Sequence, residues 1–213
     1  MTKITKQMKQ WSGVFGKEYT DRNTRTQEEL DQLYVSNFGL TRKELNERYL
    51  QGIPKDSRIL EVGCNVGDQL ICLQEQGFTN LYGIELQHYA VDKATKRTNN
   101  INIIQGSALD IPFKDDFFDV VFTAGVLIHI APVDIDTAMK EIYRCSKKYI
   151  WGYEYWADQY TTKKYRGKDD LFFKTDFAKK YMELFPDLKL LKEEKLKYKQ
   201  NDDVDSVFLF QKQ

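Results

Sequence analysis

Histidine and cysteine are scarce in this chain, with two and three among 213 residues. His88 and His129 lie far apart, and Cys64, Cys72 and Cys145 are scattered. No zinc-ligand spacing results, so no metal is expected. An odd, unpatterned cysteine set also excludes a disulfide-stapled secreted scaffold and suits a reduced, cytoplasmic protein. Excess charge is missing too, because 32 Lys+Arg balance 32 Asp+Glu. A non-specific nucleic-acid binder draws its affinity from a basic surplus, so that partner class is not expected. The lysines of 192–199 alternate with acids and apolar residues and read as the solvated face of a strand. Long hydrophobic runs are absent. The longest, 120–133, is interrupted by His129 and falls short of a bilayer span. The first eleven residues lack the apolar stretch of a secretory leader, so no membrane partner is expected.

Apolar residues make up 41% of the chain and charged ones 30%, a composition that folds around a core. Thirteen Tyr and thirteen Phe are enough to build that core and still line a pocket. No repeat, low-complexity tract or Gly/Ser linker divides the chain. A single domain is expected, with residues 1–55 as an N-terminal lid and helices, and 56–213 as the core. Residues 1–23 are polar with isolated aromatics, Trp11, Phe15 and Tyr19. Helical spacing marks 26–38 and 41–51, with Thr41 and Glu44 forming a capping box. Strands and helices then alternate. Strands are predicted over 58–62, 81–84, 101–104, 118–123 and 148–153. Helices are predicted over 67–76, 87–98, 134–145 and 175–184, the last capped by Thr175. Such alternation implies parallel βαβ units. Two final strands, 188–197 and 205–211, meet at the turn-prone 200–203 and imply an antiparallel hairpin.

Open α/β sheets bind ligands beyond the carboxyl ends of their strands. The first strand ends Glu61-Val62-Gly63-Cys64-Asn65-Val66-Gly67. Gly63 lets backbone approach a ligand, Asn65 tolerates positive φ, and Gly67 opens a helix without a side chain. The same pattern also fits an ordinary tight turn. Glu85 ends the second strand, 22 residues beyond Gly63, and an acid there can accept both hydroxyls of a ribose. A dinucleotide is disfavoured, because Asn65 and Asp68 stand where the G-x-G-x-x-G pattern needs glycine.

Taken together, these motifs resemble the class I S-adenosylmethionine (SAM)-dependent methyltransferases over roughly 56–155. Their E/D-x-G-x-G-x-G motif corresponds to Glu61–Gly67 and their second-strand acid to Glu85. Their G-D-A-x-x-L-P-F loop corresponds to Gly106–Phe113, and their F-D-x-V strand to Phe118–Val121, followed by Gly125–His129. Asn65 replaces a glycine, and Ser107 replaces the acid that faces the adenine amino group. The resemblance implies a Rossmann-like α/β fold with a mostly parallel seven-stranded sheet, a C-terminal antiparallel hairpin and N-terminal helices. It implies SAM as cofactor and S-adenosylhomocysteine (SAH) as product. Glu61, Gly63, Cys64, Asn65, Gly67, Glu85, Leu86, Ser107, Ala108, Leu109, Thr123 and Gly125 would then border the cofactor, Cys64 through its backbone. Segments 11–23, 149–155 and 165–167 resemble a narrower group, the methylases associated with pseudaminic acid biosynthesis. That likeness implies a small acceptor of the acidic-sugar type.

His129 is the candidate base, since imidazole suits proton transfer near neutrality; alternatively it packs against its loop and binds a backbone carbonyl. Glu154 is a second candidate base, with Tyr153 and Tyr155 as acceptor contacts, or Glu154 and Tyr153 end a strand in solvent. Arg22 offers a fork for a carboxylate, with Phe15 and Tyr19 as an apolar lid over SAM, or the segment is a surface arm whose aromatics pack on the core. Arg166 contacts an anionic acceptor or is a solvated loop charge. Other readings are a protein or different metabolite acceptor, and a SAM-binding protein without catalysis.

Overall fold

The computed structural model describes residues 4–213. Four helices come first: α1 (Lys6–Ser12), α2 (Val14–Arg22), α3 (Gln27–Phe38) and α4 (Arg42–Leu50). Both α3 and α4 begin with a full capping box, Thr26 with Glu29 and Thr41 with Glu44. Each box closes two otherwise open backbone N–H groups, worth about 1 kcal/mol per cap.

The core alternates β1 (Arg58–Val62), α5 (Asp68–Glu75), β2 (Asn80–Glu85), α6 (His88–Arg97), β3 (Asn102–Gln105), β4 (Phe118–Ala124), α7 (Ile135–Cys145) and β5 (Ser146–Tyr155). A two-residue pair follows, β6 (Thr161–Thr162) with β7 (Phe173–Lys174). Then come α8 (Phe177–Leu184), β8 (Leu188–Lys197) and β9 (Val204–Lys212). The seven-stranded sheet has the order β3-β2-β1-β4-β5-β9-β8. Strands β1 to β5 pair in parallel, and β9 runs antiparallel between β5 and β8. The parallel βαβ units are those the alternating pattern implied, and the Rossmann-like seven-stranded sheet is the one the resemblance implied.

The sheet separates two apolar layers, and the period-two alternation of its strands feeds both. Leu60, Val62 and Val121 meet α7 and α8, whereas Ile59, Val120 and Phe122 meet α3, α4 and α5. Helix α7 buries Ile135, Ala138, Met139 and Ile142 at helical spacing, which makes one apolar stripe against the sheet.

Three local details depart from the sequence reading. Residues 6–22 form two helices where a polar arm with isolated aromatics was read. Asp176, not Thr175, caps α8, because its carboxylate accepts from Lys179 N at 2.9 Å. The β6–β7 pair was not foreseen, because neither strand is long enough to show alternation. Among the described residues, no helix is long and apolar enough to cross a membrane.

Candidate cofactor and acceptor cleft

Strand β1 is the switch point of the sheet: the chain moves outward to β2 and β3 on one side and to β4 and β5 on the other. Crevices form beyond the carboxyl ends of strands at such a point. A cleft of about 240 Å³ lies there. Its floor is the β1–α5 turn. Gly63 (φ +75) and Gly67 (φ +81) take left-handed backbone, and Asn65 joins them at φ +47. A Cβ at Gly63 would come within 2.7 Å of the Val126 side chain, so glycine is needed for space as well as for φ.

Two carboxylates face this turn. Glu85 accepts from Asn65 N at 2.9 Å and from Gln87 N at 2.8 Å, which fixes it at the end of β2. Burial pushes its carboxyl up from the usual range, and these backbone donors pull it back down. Glu61 is 3% exposed, and its Oε2 is buried without a hydrogen-bond partner. Burial holds its carboxyl well above the usual range. A buried carboxylate oxygen without a donor is costly, and an ammonium group on a ligand would supply one. Leu86 and the Gly106–Leu109 loop complete this end of the cleft, with Ser107 Oγ accepting from Leu109 N at 3.1 Å.

The N-terminal helices roof the cleft. Gln87 Nε2 donates to Trp11 O at 3.2 Å and to Gly13 O at 2.8 Å, and Thr20 Oγ1 donates to Asn65 Oδ1 at 3.0 Å. Asp21 accepts from Tyr89 at 2.7 Å and pairs with Lys93 at 2.9 Å on α6. The roof continues in 163–172, where Asp170 pairs with Lys6 and its carbonyl accepts from Gln7 at 3.2 Å. Trp11 and Tyr19 line the cleft, and Phe15 backs Trp11 edge-on at 5.2 Å.

His129 borders the cleft on a short 3-10 turn after β4. Its Nδ1 is 2.7 Å from Leu171 O. A carbonyl only accepts, so Nδ1 carries the proton and Nε2 keeps a lone pair. Its ring packs 4.4 Å from Trp11, 5.4 Å from Tyr165 and 5.7 Å from Phe172. Burial lowers its pKa from 6.5 to about 4, so the ring is neutral near pH 7.

Of the residues singled out from sequence, Tyr19, Glu61, Gly63, Cys64, Asn65 and Glu85 border the cleft. So do Leu86, Ser107, Ala108, Leu109, Gly125 and His129. Others lie elsewhere. Glu154 is fully buried and its Oε1 accepts from Val126 N at 3.1 Å. It therefore braces the turn that carries His129 instead of meeting a ligand. The Thr123 side chain draws that carboxyl down, against the burial that raises it. Tyr153 packs on Tyr34 and Phe38 across the sheet, and Tyr155 packs on Phe172 behind His129. Arg22 pairs with Glu18 at 3.8 Å on the outer surface of α2, and Arg166 is exposed in the Tyr165–Lys168 turn. Gly67 serves as the N-cap of α5. The cleft instead has Arg25, three residues past Arg22. Arg97 holds it there by donating to Arg25 O at 2.5 Å and pairing with Asp68. Trp11, Gln69 and Asp134 also border the cleft without having been singled out for it. They lie on α1, α5 and the start of α7, and no local motif announces a convergence of three separate helices.

Residues 60–149 match the methyltransferase domain family. An uncharacterized protein of Haemophilus influenzae is 28% identical over 102 residues, 45% of this chain and 41% of that protein. A 24-methylenesterol C-methyltransferase of Arabidopsis thaliana is 30% identical over 122 residues, 53% of this chain and 32% of that enzyme. The chain thus matches less than half the length of these relatives. The crystal structure of PH0226 protein from Pyrococcus horikoshii superposes with TM-score 0.69 over 96% of this chain and 99% of that one, at 18% identity. The 1,6-didemethyltoxoflavin-N1-methyltransferase of Burkholderia thailandensis, with bound 1,6-didemethyltoxoflavin and SAH, gives TM-score 0.64 over 80% of this chain and 76% of that one, at 13% identity. The fold is therefore the Rossmann-like one of these structures, and the similarity to methyltransferase domains lies in residues 60–149.

Proposed function

We propose that the protein transfers a methyl group from SAM to a small-molecule acceptor enclosed beneath α1, α2 and residues 163–172. The buried Glu61 oxygen without a partner carries this reading, because a free ammonium is what it lacks and SAM brings one. Glu85 would receive the ribose hydroxyls, and the Ser107–Leu109 loop would border the adenine. Arg25 is the cation available to the methionyl carboxylate, with Gln69 beside it in the same cleft. Bound there, SAM would supply a methyl group activated on a sulfonium sulfur, with the C–S electron pair returning to sulfur as an acceptor lone pair bonds to carbon.

The chain's part is alignment, exclusion of water and custody of a proton. Trp11 and Tyr19 close the roof with flat, apolar surface. His129 Nε2 receives a hydrogen bond from the nucleophile and takes its proton as the bond to methyl forms. The closed roof favours a small acceptor over a protein side chain. For an acidic sugar, the cleft offers one arginine, Arg25, at the cofactor end, and Arg166 lies outside it.

Calorimetric titration with SAM, SAH and NAD tests the reading, with Glu85→Ala as control. SAM and SAH should bind, NAD should not, and the variant should lose binding by tenfold or more. Absence of SAM and SAH binding, or binding indifferent to Glu85, would overturn it.

A further inference from the structure

The acceptor half of the cleft has its own chemistry, separate from the cofactor residues. It lies between α1 and the β4–α7 connection, where Met8, Trp11, Ile130 and Ala131 make apolar walls around His129. Four carboxylates border the whole cleft, Glu61, Asp68, Glu85 and Asp134, against one arginine, Arg25. Asp68 is neutralised by Arg97. Glu61 and Glu85 lie at the cofactor end, and Arg25 is held there beside Asp68. Asp134 is different: it begins α7, just past His129, and its side chain makes no capping hydrogen bond to the helix. Among the described residues it forms no ion pair either. It is half-buried, so water screens it only in part.

An anionic acceptor would meet Asp134 with no cation to offset the repulsion. A positively charged one would meet a carboxylate and the faces of Trp11 and Tyr19, both of which attract cations. Resting on the methyltransferase reading, we infer that the acceptor carries a protonated amine on an apolar body, and that Asp134 selects it. Asp134 is thus a specificity residue that touches the acceptor, and His129 is the group nearest the reacting atom.

Three probes with one ring and different charge test this: tyramine, 4-ethylphenol and 4-hydroxyphenylacetate. Each is titrated against the protein alone and against the protein saturated with SAH. Tyramine should bind at least tenfold more tightly than the acid, the span expected for one charge-assisted contact. Asp134→Asn should erase that preference and Asp134→Lys should reverse it, with SAH affinity unchanged in both. Tightest binding by the acid, no binding by any probe, or a preference indifferent to Asp134 overturns the inference. Loss of SAH binding in the unaltered protein would instead overturn the methyltransferase reading, and the titrations without SAH would still decide the charge preference.

Discussion

The hydroxyl of Thr20 donates to the side-chain oxygen of Asn65 at 3.0 Å, joining the roof helix α2 to the turn beneath the cofactor end of the cleft. Asn65 has two tasks: it accepts left-handed backbone at φ +47 and it receives the roof. A glycine would perform only the first. Thr20→Val should therefore weaken SAH binding by about three- to tenfold, the loss of one hydrogen bond worth ~1 kcal/mol. Asn65→Gly should do the same, and the double variant should be no worse than either alone. Calorimetry on the four proteins closes the cycle; simple additivity would show that the contact couples nothing.

Gly16 fixes how α2 lies on α1. A Cβ there would sit 1.7 Å from Trp11 O, which no side-chain rotation relieves. Gly16→Ala should displace Trp11 and cut methyl transfer at least tenfold while the core stays folded. Tryptophan fluorescence and far-UV circular dichroism read the two parts. Deleting residues 1–23 should likewise abolish activity and leave a folded core.

His129 is held neutral, its pKa lowered from 6.5 to about 4 by burial. The unfolded chain binds this proton more readily, so the contribution to stability is whole above pH 6.5 and is lost as pH falls towards 4. The loss amounts to about 3 kcal/mol at most. His129→Ala should flatten that part of the acid limb in a denaturant series. It should also lower kcat by about 10²-fold or more with little change in SAH affinity, as loss of a proton acceptor does. Near-normal kcat would remove His129 from the chemistry.

Glu154 titrates with the opposite sign. Burial raises its pKa from 4.5 to about 7, so its charge burdens the fold above pH 7. That burden lifts as pH falls from 7 to 4.5. Glu154→Gln mimics the protonated form and should raise Tm at pH 8 while leaving it unchanged at pH 5. Activity should survive in proportion to how well the Val126 contact is kept. A large loss of kcat without a change in stability would restore Glu154 to the candidate bases.

Much of the cleft's floor was legible in the chain, because its groups sit at fixed intervals along strand–turn–helix units. Gly63, Asn65 and Glu85 occupy strand ends, and strand ends converge in any parallel sheet. The acceptor half was less legible. Trp11 was read as part of a polar arm, although its helix is short and marginal by itself and stands through contacts with Gln87 and Tyr165. Arg22 and Arg25 are indistinguishable by residue type. Only the turn after α2 separates them, sending one outward to Glu18 and the other into the cleft.

Alternation of apolar runs and turn glycines is local information, and it was enough for the order of elements from β1 to β5, the parallel sheet and the Glu61–Gly67 and Glu85 framework. The roles of Glu154, His129 and Asp134 are not local. Whether a carboxylate is buried against Val126 N or borders a cleft depends on which distant segment covers it. The same holds for the imidazole, whose tautomer is set by Leu171, 42 residues along the chain. Burial and hydrogen-bond partners decide protonation, and both exist only once the chain has closed on itself.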